Sequence, residues 1–348
     1  MMLFLAQGAY FGSSSRQQPG TGGAEVFSQK YIVATLTAAI TAVGWSHGAA
    51  AQGLQKIRIA AVGGNSWTTA QPGWCADRGE LAKAGIEVEL TKTRGGSETV
   101  QAVVSGAVDI GWGAGINASL SAFAQGGKIK IISSYFIGNA DSFYYVPADS
   151  PIKSIDDLNG KSIAFSRPGS ASETVLRDLI TQTGFNIKSV AGGSLDAIFT
   201  MTMTKQVDVG YAFPPAAMDA WDKGEIRVLF NGDAVKSQAN VSSRVNIASD
   251  SFLNNNRELA TKFLQTVQSC MDWMYKNMDQ GKKMFAEMNS LDLAVAEKAL
   301  AFYPEDKLQF GPISGLDQAV ADAVKDKFIN EPLTEQQKKD IIDILPNR

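Results

Sequence analysis

Twice along this chain a short apolar strand leads through a glycine-serine turn into a helix with one apolar face, and then into another strand. A unit of that kind buries its surfaces by laying helices on a sheet, which sets a layered α/β fold. In the first unit Lys56-Ile57-Arg58-Ile59-Ala60 alternates as an opening strand, and Ile86 to Leu90 alternates again. Between them the pattern predicts a helix from Pro72 to Ala84, stopped by Gly85. Gly95-Gly96-Ser97 opens a helix with Ser97 as its N-cap and with Val100, Val103 and Val104 turned inward. Ala107 to Trp112 and Ile129 to Ser133 read as the next strands. The order restarts after a capped turn at Ser154 to Leu158. Lys161 to Phe165 is a strand, and Pro168-Gly169-Ser170 starts a helix with Val175, Leu176, Leu179 and Ile180 on one face. A further helix, Ser194 to Thr204, runs into a strand from Val207 to Phe213. Two similar α/β lobes follow from this repetition, rather than one large sheet.

Beyond Asn254 the chain turns helical. Ala260, Phe263, Leu264, Val267, Cys270, Met271, Met274, Tyr275 and Met278 recur at spacings of three and four, the stripe of a helix packed into a core. On that face Cys270 reads as a small buried hydrophobe. Further helices are expected at Leu291–Phe302, Ser314–Ile329 and Thr334–Leu345, the last with Thr334 and Gln337 at capping-box spacing.

The stretch KYIVATLTAAITAVGWSHGAAA, residues 30–51, has a lone lysine, a short apolar run and a small-x-small end. It reads as a secretory signal peptide cleaved after Ala51, so residues 1–51 form a leader and the mature chain starts at Gln52. Residues 1–27 in front of it are polar and Gly-rich, which suggests a translation start near Val26. The only histidine, His47, falls inside the leader. A mature chain without histidine cannot run Ser-His-Asp or Cys-His chemistry and offers no imidazole to a metal. Cys75 and Cys270 are too few for a zinc cage or an iron–sulfur cluster, and their spacing leaves pairing open. With a formal net charge of −3 and no basic stripe, nucleic-acid binding is set aside. Gly160-Lys161-Ser162 mimics the end of a phosphate loop, but Ile155 stands where the first glycine belongs.

What remains is the repeated helix start. Gly95-Gly96-Ser97 and Gly169-Ser170-Ala171-Ser172 each present unpaired N–H groups, the positive end of a helix dipole and serine hydroxyls. Such ends hold anions without a cationic side chain. Trp67 follows the loop after the first strand, and Trp112, Tyr211 and Phe213 end strands, at the edges where open α/β sheets bind ligands.

Three stretches in order carry a family likeness: GSETVQAVVSGAVDIGWGAG, SPIKSIDDLNGKSIAFSRPGSASE and VDVGYAFPPAAMDAWDKG. The chain resembles the periplasmic substrate-binding proteins of the nitrate/sulfonate/taurine (and pyrimidine-precursor) ABC importers. The resemblance implies an α/β, type II-like two-lobe periplasmic binding fold with hinge strands, no catalysis and no cofactor. It places the hinges near Asp141–Val146 and Arg244–Ala248, with lobe I from 52–142 plus 247–348 and lobe II from 143–246. It implies a monomer that delivers a small anion to an ABC permease at the inner membrane. Ligand contacts would come from Asn65, Trp67, Thr68, Ser97, Gly113, Ala114, Ser170, Ala171, Ser172, Phe213 and Pro214. Arg244 stands where taurine-type members carry an acid, so taurine is not the expected ligand; a sulfonate or carboxylate is. The alternatives are a neutral aromatic or pyrimidine ligand, stacked on Trp67 and Phe213, or a sensor domain of the same fold.

Overall fold

The computed structural model describes residues 53–345 apart from Gly64 and Gln309. The leader, its cleavage point and the alternative start lie outside the described residues.

The strands are β1 (Gln55–Val62), β2 (Ile86–Thr93), β3 (Ile110–Gly115), β4 (Ile129–Phe136), β5 (Phe143–Pro147), β6 (Ser162–Phe165), β7 (Lys188–Ala191), β8 (Gly210–Ala212), β9 (Ile226–Asn231) and β10 (Arg244–Ser249). The first sheet has the order β2-β1-β3-β10-β4, with β1 parallel to β2 and β3, and β10 antiparallel to its neighbours. In the second, β6 and β7 are parallel, and β5 runs antiparallel between β8 and β9. A parallel bridge from Ile163 to Val209 joins these pieces into the order β7-β6-β8-β5-β9. The two sheets therefore repeat one topology, and β5 and β10 hold the same place in each. Both strands arrive by crossing from the other sheet, β5 through residues 137–142 and β10 through residues 232–243. This is the two-lobe α/β architecture that the repeated pattern predicts.

The helices are α1 (Gln71–Asp77), α2 (Glu80–Lys83), α3 (Gly96–Val104), α4 (Ile116–Ala124), α5 (Ala171–Thr183), α6 (Leu195–Met203), α7 (Met218–Asp222), α8 (Asp250–Lys276), α9 (Met278–Asn289), α10 (Leu293–Leu300), α11 (Leu316–Lys325) and α12 (Glu335–Ile341). The single helix expected from Pro72 to Ala84 is broken in two, because Gly79 takes φ 73°, a left-handed conformation that ends α1. Helix α3 starts at Gly96 with Gly95 as its cap, so Ser97 is not the N-cap. The reason is close packing: a β-carbon on Gly96 would sit 2.6 Å from the Gly115 nitrogen, so the helix start is pressed onto the end of β3. Strand β8 is shorter than the pattern suggests, since Asp208 turns its carboxylate back onto Ser162 and prolines follow Phe213.

The stripe of α8 packs inside: Ala260, Phe263, Leu264, Val267, Met271 and Met274 are buried in one core with Trp67, Trp74 and Phe285. Cys270 is more than a small hydrophobe, because it forms a disulfide with Cys75 that ties α8 to α1, Cα to Cα 5.9 Å. The three C-terminal helices are shorter than expected, and α12 has the capping box: Thr334 Oγ1 accepts from the Gln337 N–H at 3.2 Å while the Gln337 side chain accepts from the Thr334 N–H at 2.8 Å. Among the described residues no helix is long and apolar enough to cross a membrane.

Candidate functional site

The equivalent strand ends and the two crossings meet in one buried cluster. Arg244 opens β10, and Asp141 lies in the first crossing; they form a two-pronged ion pair with N–O distances of 2.7 and 2.6 Å. Asp141 is fully buried, and the Arg244 side chain is 13% exposed. Burial by itself lowers the guanidinium pKa, but the charge and hydrogen bonds of Asp141 outweigh it and raise the value. The guanidinium carbon also sits 5.2 Å from the ring centre of Phe136 and 5.5 Å from that of Tyr135.

Around this pair stand Tyr135 from β4, Tyr211 from β8, and Tyr303 after α10. Burial pushes all three phenols up, so they stay protonated at neutral pH. Tyr303 donates to the Pro214 carbonyl at 2.5 Å, a bond between elements of the two lobes. The Arg244 Nε is buried without a hydrogen-bond partner, and the buried Tyr135 hydroxyl has only the Thr68 side chain close by, outside hydrogen-bond distance or angle. From the β1–α1 loop come Ser66 and Thr68, both fully buried with their hydroxyls 3.2 Å apart. From the start of α5 come Ser170 and Ser172; the Ser172 hydroxyl lies 2.9 Å from that of Ser170 and 3.0 Å from that of Ser166.

The lobes are in contact here. A β-carbon on Gly115 would lie 2.5 Å from the Gly169 carbonyl oxygen. Asn117 donates from Nδ2 to Thr174 Oγ1 at 3.0 Å. Farther along the same seam Lys325 and Gln238 each reach the Asp178 carboxylate at 2.7 Å.

Both helix starts carry an acid of their own. At α5 the Glu173 carboxylate accepts the Gly169 N–H at 2.7 Å and pairs with Arg177 at 2.8 Å. At α3 Glu98 accepts the Arg94 N–H at 3.1 Å and pairs with the Arg94 guanidinium at 2.9 Å.

The expected contact residues divide. Thr68, Ser170, Ala171, Ser172, Phe213, Pro214 and Arg244 lie at the cluster or on the elements that frame it. Trp67 does not: its ring is in the first lobe's core, edge-on to Trp74, Tyr275 and Phe285. Asn65 turns its side chain to Lys92, 3.1 Å away. Ser97 faces a surface cavity of about 410 Å3 at the lobe seam, shared with Arg94, Glu98, Arg167 and Phe328. Gly113 and Ala114 are buried in β3; the Gly113 N–H is taken by Asn246 Oδ1 at 3.0 Å, and a β-carbon there would press on the Tyr135 ring at 3.2 Å. Sequence reasoning missed Ser66, Tyr135, Asp141 and Tyr303 as site residues. Asp141 left a signal: it is the only acid in the otherwise uncharged stretch from Ile131 to Val146, at a crossing.

Two matched α/β lobes, two crossings and an incompletely satisfied polar cluster between them define the class: a two-lobe periplasmic binding protein fold. Residues 75–280 match the family model described as NMT1/THI5 like, and the chain belongs to that family. A Brucella abortus relative, named as a candidate binding protein, is 23% identical over 66% of this chain and 71% of its own length. Among solved structures, the periplasmic aliphatic sulphonate binding protein SsuA of Escherichia coli superposes with a TM-score of 0.64 at 18% identity, covering 81% of this chain and 91% of that one. The alkanesulfonate-binding protein SsuA of Xanthomonas axonopodis pv. citri, bound to MOPS, gives a TM-score of 0.65 at 20% identity over 84% of this chain and 95% of that one.

Proposed function

We propose that this protein is the periplasmic substrate-binding component of an ABC importer. It closes its lobes over one small molecule at the Arg244–Tyr135–Tyr211 cluster and presents the closed form to a membrane permease. The observation that carries this reading is the convergence of both lobes and both crossings on polar groups that are buried yet unsatisfied, the Tyr135 hydroxyl and Arg244 Nε. A ligand that supplies those partners favours the closed form over the open one, which is hinge closure as a population shift. The names of the two SsuA structures support a sulfonate, in line with the expectation from sequence; the neutral alternative is favoured by the Asp141 pair.

The test is a thermal-shift screen over sulfonates, carboxylates, nitrate and uncharged heterocycles, with X-ray scattering on each hit. A ligand at one hundred times its Kd should stabilise by about 2.7 kcal/mol and shrink the radius of gyration. A panel in which no compound of any charge shifts the melting point would overturn the reading.

A further inference from the structure

Resting on that reading of the site, we propose that Asp141 sets the charge of the ligand: with Arg244 held by Asp141, the cluster takes a small uncharged molecule and rejects organic anions.

Among the described residues the two helix starts and Arg244 are placed to hold an anion, and each has a carboxylate of the chain's own beside it, although Glu173 and Glu98 accept N–H groups of the residues before the helix caps rather than those of the first turn. The start of α5 has Glu173, whose carboxylate takes the Gly169 N–H at 2.7 Å. The start of α3 has Glu98, at 3.1 Å from the Arg94 nitrogen. Arg244 has Asp141, which occupies both terminal guanidinium nitrogens at 2.7 and 2.6 Å. That end-on pair uses two of the five guanidinium N–H donors and balances the arginine's charge, so a second anion would meet Nε–H and the remaining terminal protons with no net positive charge behind them.

Against the pair stand the phenols of Tyr135, Tyr211 and Tyr303, with the hydroxyls of Thr68, Ser172 and Ser66 beside them, all neutral and each able to donate or accept; among the described residues the one further charge that reaches the pair is the Asp233 carboxylate, which adds to its negative side. An added anion would stand as an uncompensated charge beside Asp141 in a water-poor site, which costs far more than placing a neutral polar molecule there. The two unpartnered atoms specify the rest. Arg244 Nε is a donor and needs an acceptor, and the Tyr135 hydroxyl can meet either partner. The ligand class is therefore a small neutral molecule with a carbonyl or ring-nitrogen acceptor.

The test uses methanesulfonate and MOPS as probes, titrated calorimetrically in Tris chloride into the full chain and into Asp141→Asn and Asp141→Asn/Arg244→Gln. The wild type should bind neither probe below 1 mM, on the order expected when no net charge is available. Asp141→Asn frees the guanidinium and should bind methanesulfonate at least about tenfold more tightly than the wild type, a gain that the double variant loses. A wild type that binds either sulfonate with a Kd under about 100 μM overturns the proposal, and this arm does not depend on a variant folding. A folded Asp141→Asn that gains no sulfonate binding overturns it too. Both failures leave the importer reading intact, because that reading falls only if the wider screen finds no compound of any charge.

Discussion

Gly115→Ala isolates lobe closure from every other variable. Gly115 has φ −69° and ψ 130°, ordinary extended backbone, so alanine brings no strain of its own. Its new β-carbon, however, meets the Gly169 carbonyl oxygen at 2.5 Å and the Ser170 Cα at 3.3 Å. Close carbon–oxygen approaches rest at about 3.3 Å, so the two backbones must part by about 0.8 Å. The Gly169 loop cannot yield separately, because Glu173 pins its N–H at 2.7 Å. The second lobe must move as a body, and the Asn117–Thr174 bond lengthens with it. Overpacking of this size costs about 1–3 kcal/mol, which at equilibrium is about a 5- to 150-fold rise in the open population. Amide hydrogen exchange by mass spectrometry reads it without any ligand. Peptides covering the start of α5 and of α4 should exchange faster by that factor, while β1 and β6 keep their protection. Unchanged exchange at both helix starts would refute the idea that this contact holds the lobes together.

Two further tests probe stability. Replacing Cys75 and Cys270 by alanine removes a crosslink spanning 195 residues, whose loop entropy has a ceiling of about 5 kcal/mol; urea unfolding should show a loss of about 2–5 kcal/mol, and a loss under 1 kcal/mol, roughly the scale of a surface change, would contradict a structural role. Asp326 is held by burial above the usual carboxylate range, against the pull of Lys325 and Arg177 and with Asp178 and Asp322 adding to the rise. A folded pKa above the unfolded one means the folded state binds the extra proton, so stability falls as pH climbs from the unfolded value to the folded one. Asp326→Asn should therefore raise the melting temperature at pH 7 and lose that advantage at pH values below about 3.8, the ordinary carboxylate range. A variant that melts lower at pH 7 would show that the Arg177 pairing outweighs the burial.

Local chemistry reached the sequence reader wherever a short span is sufficient. Ser170 caps α5 by accepting from the Glu173 N–H, and Thr334 with Gln337 closes its box, because both partners lie within one turn. The stripe of α8 announced its own burial by period alone. The split at Gly79 was less legible, since glycine inside an apolar pattern is often tolerated. The shift of the α3 cap from Ser97 to Gly95 had no local signal at all, because it answers to Gly115 nearly twenty residues on, roughly the span of a whole helix and strand.

The same division runs through the site. Apolar periodicity and the repeated helix starts determined two matched α/β lobes, because those patterns depend on neighbours one to four residues away. Which side chains face each other across the lobes was decided by the crossings. Residues 137–142 and 232–243 bring Asp141 onto Arg244, and the first lobe's packing draws Trp67 into the core. A charge 103 residues from its partner leaves no trace in either local pattern, yet the crossings bury the two together as one ion pair.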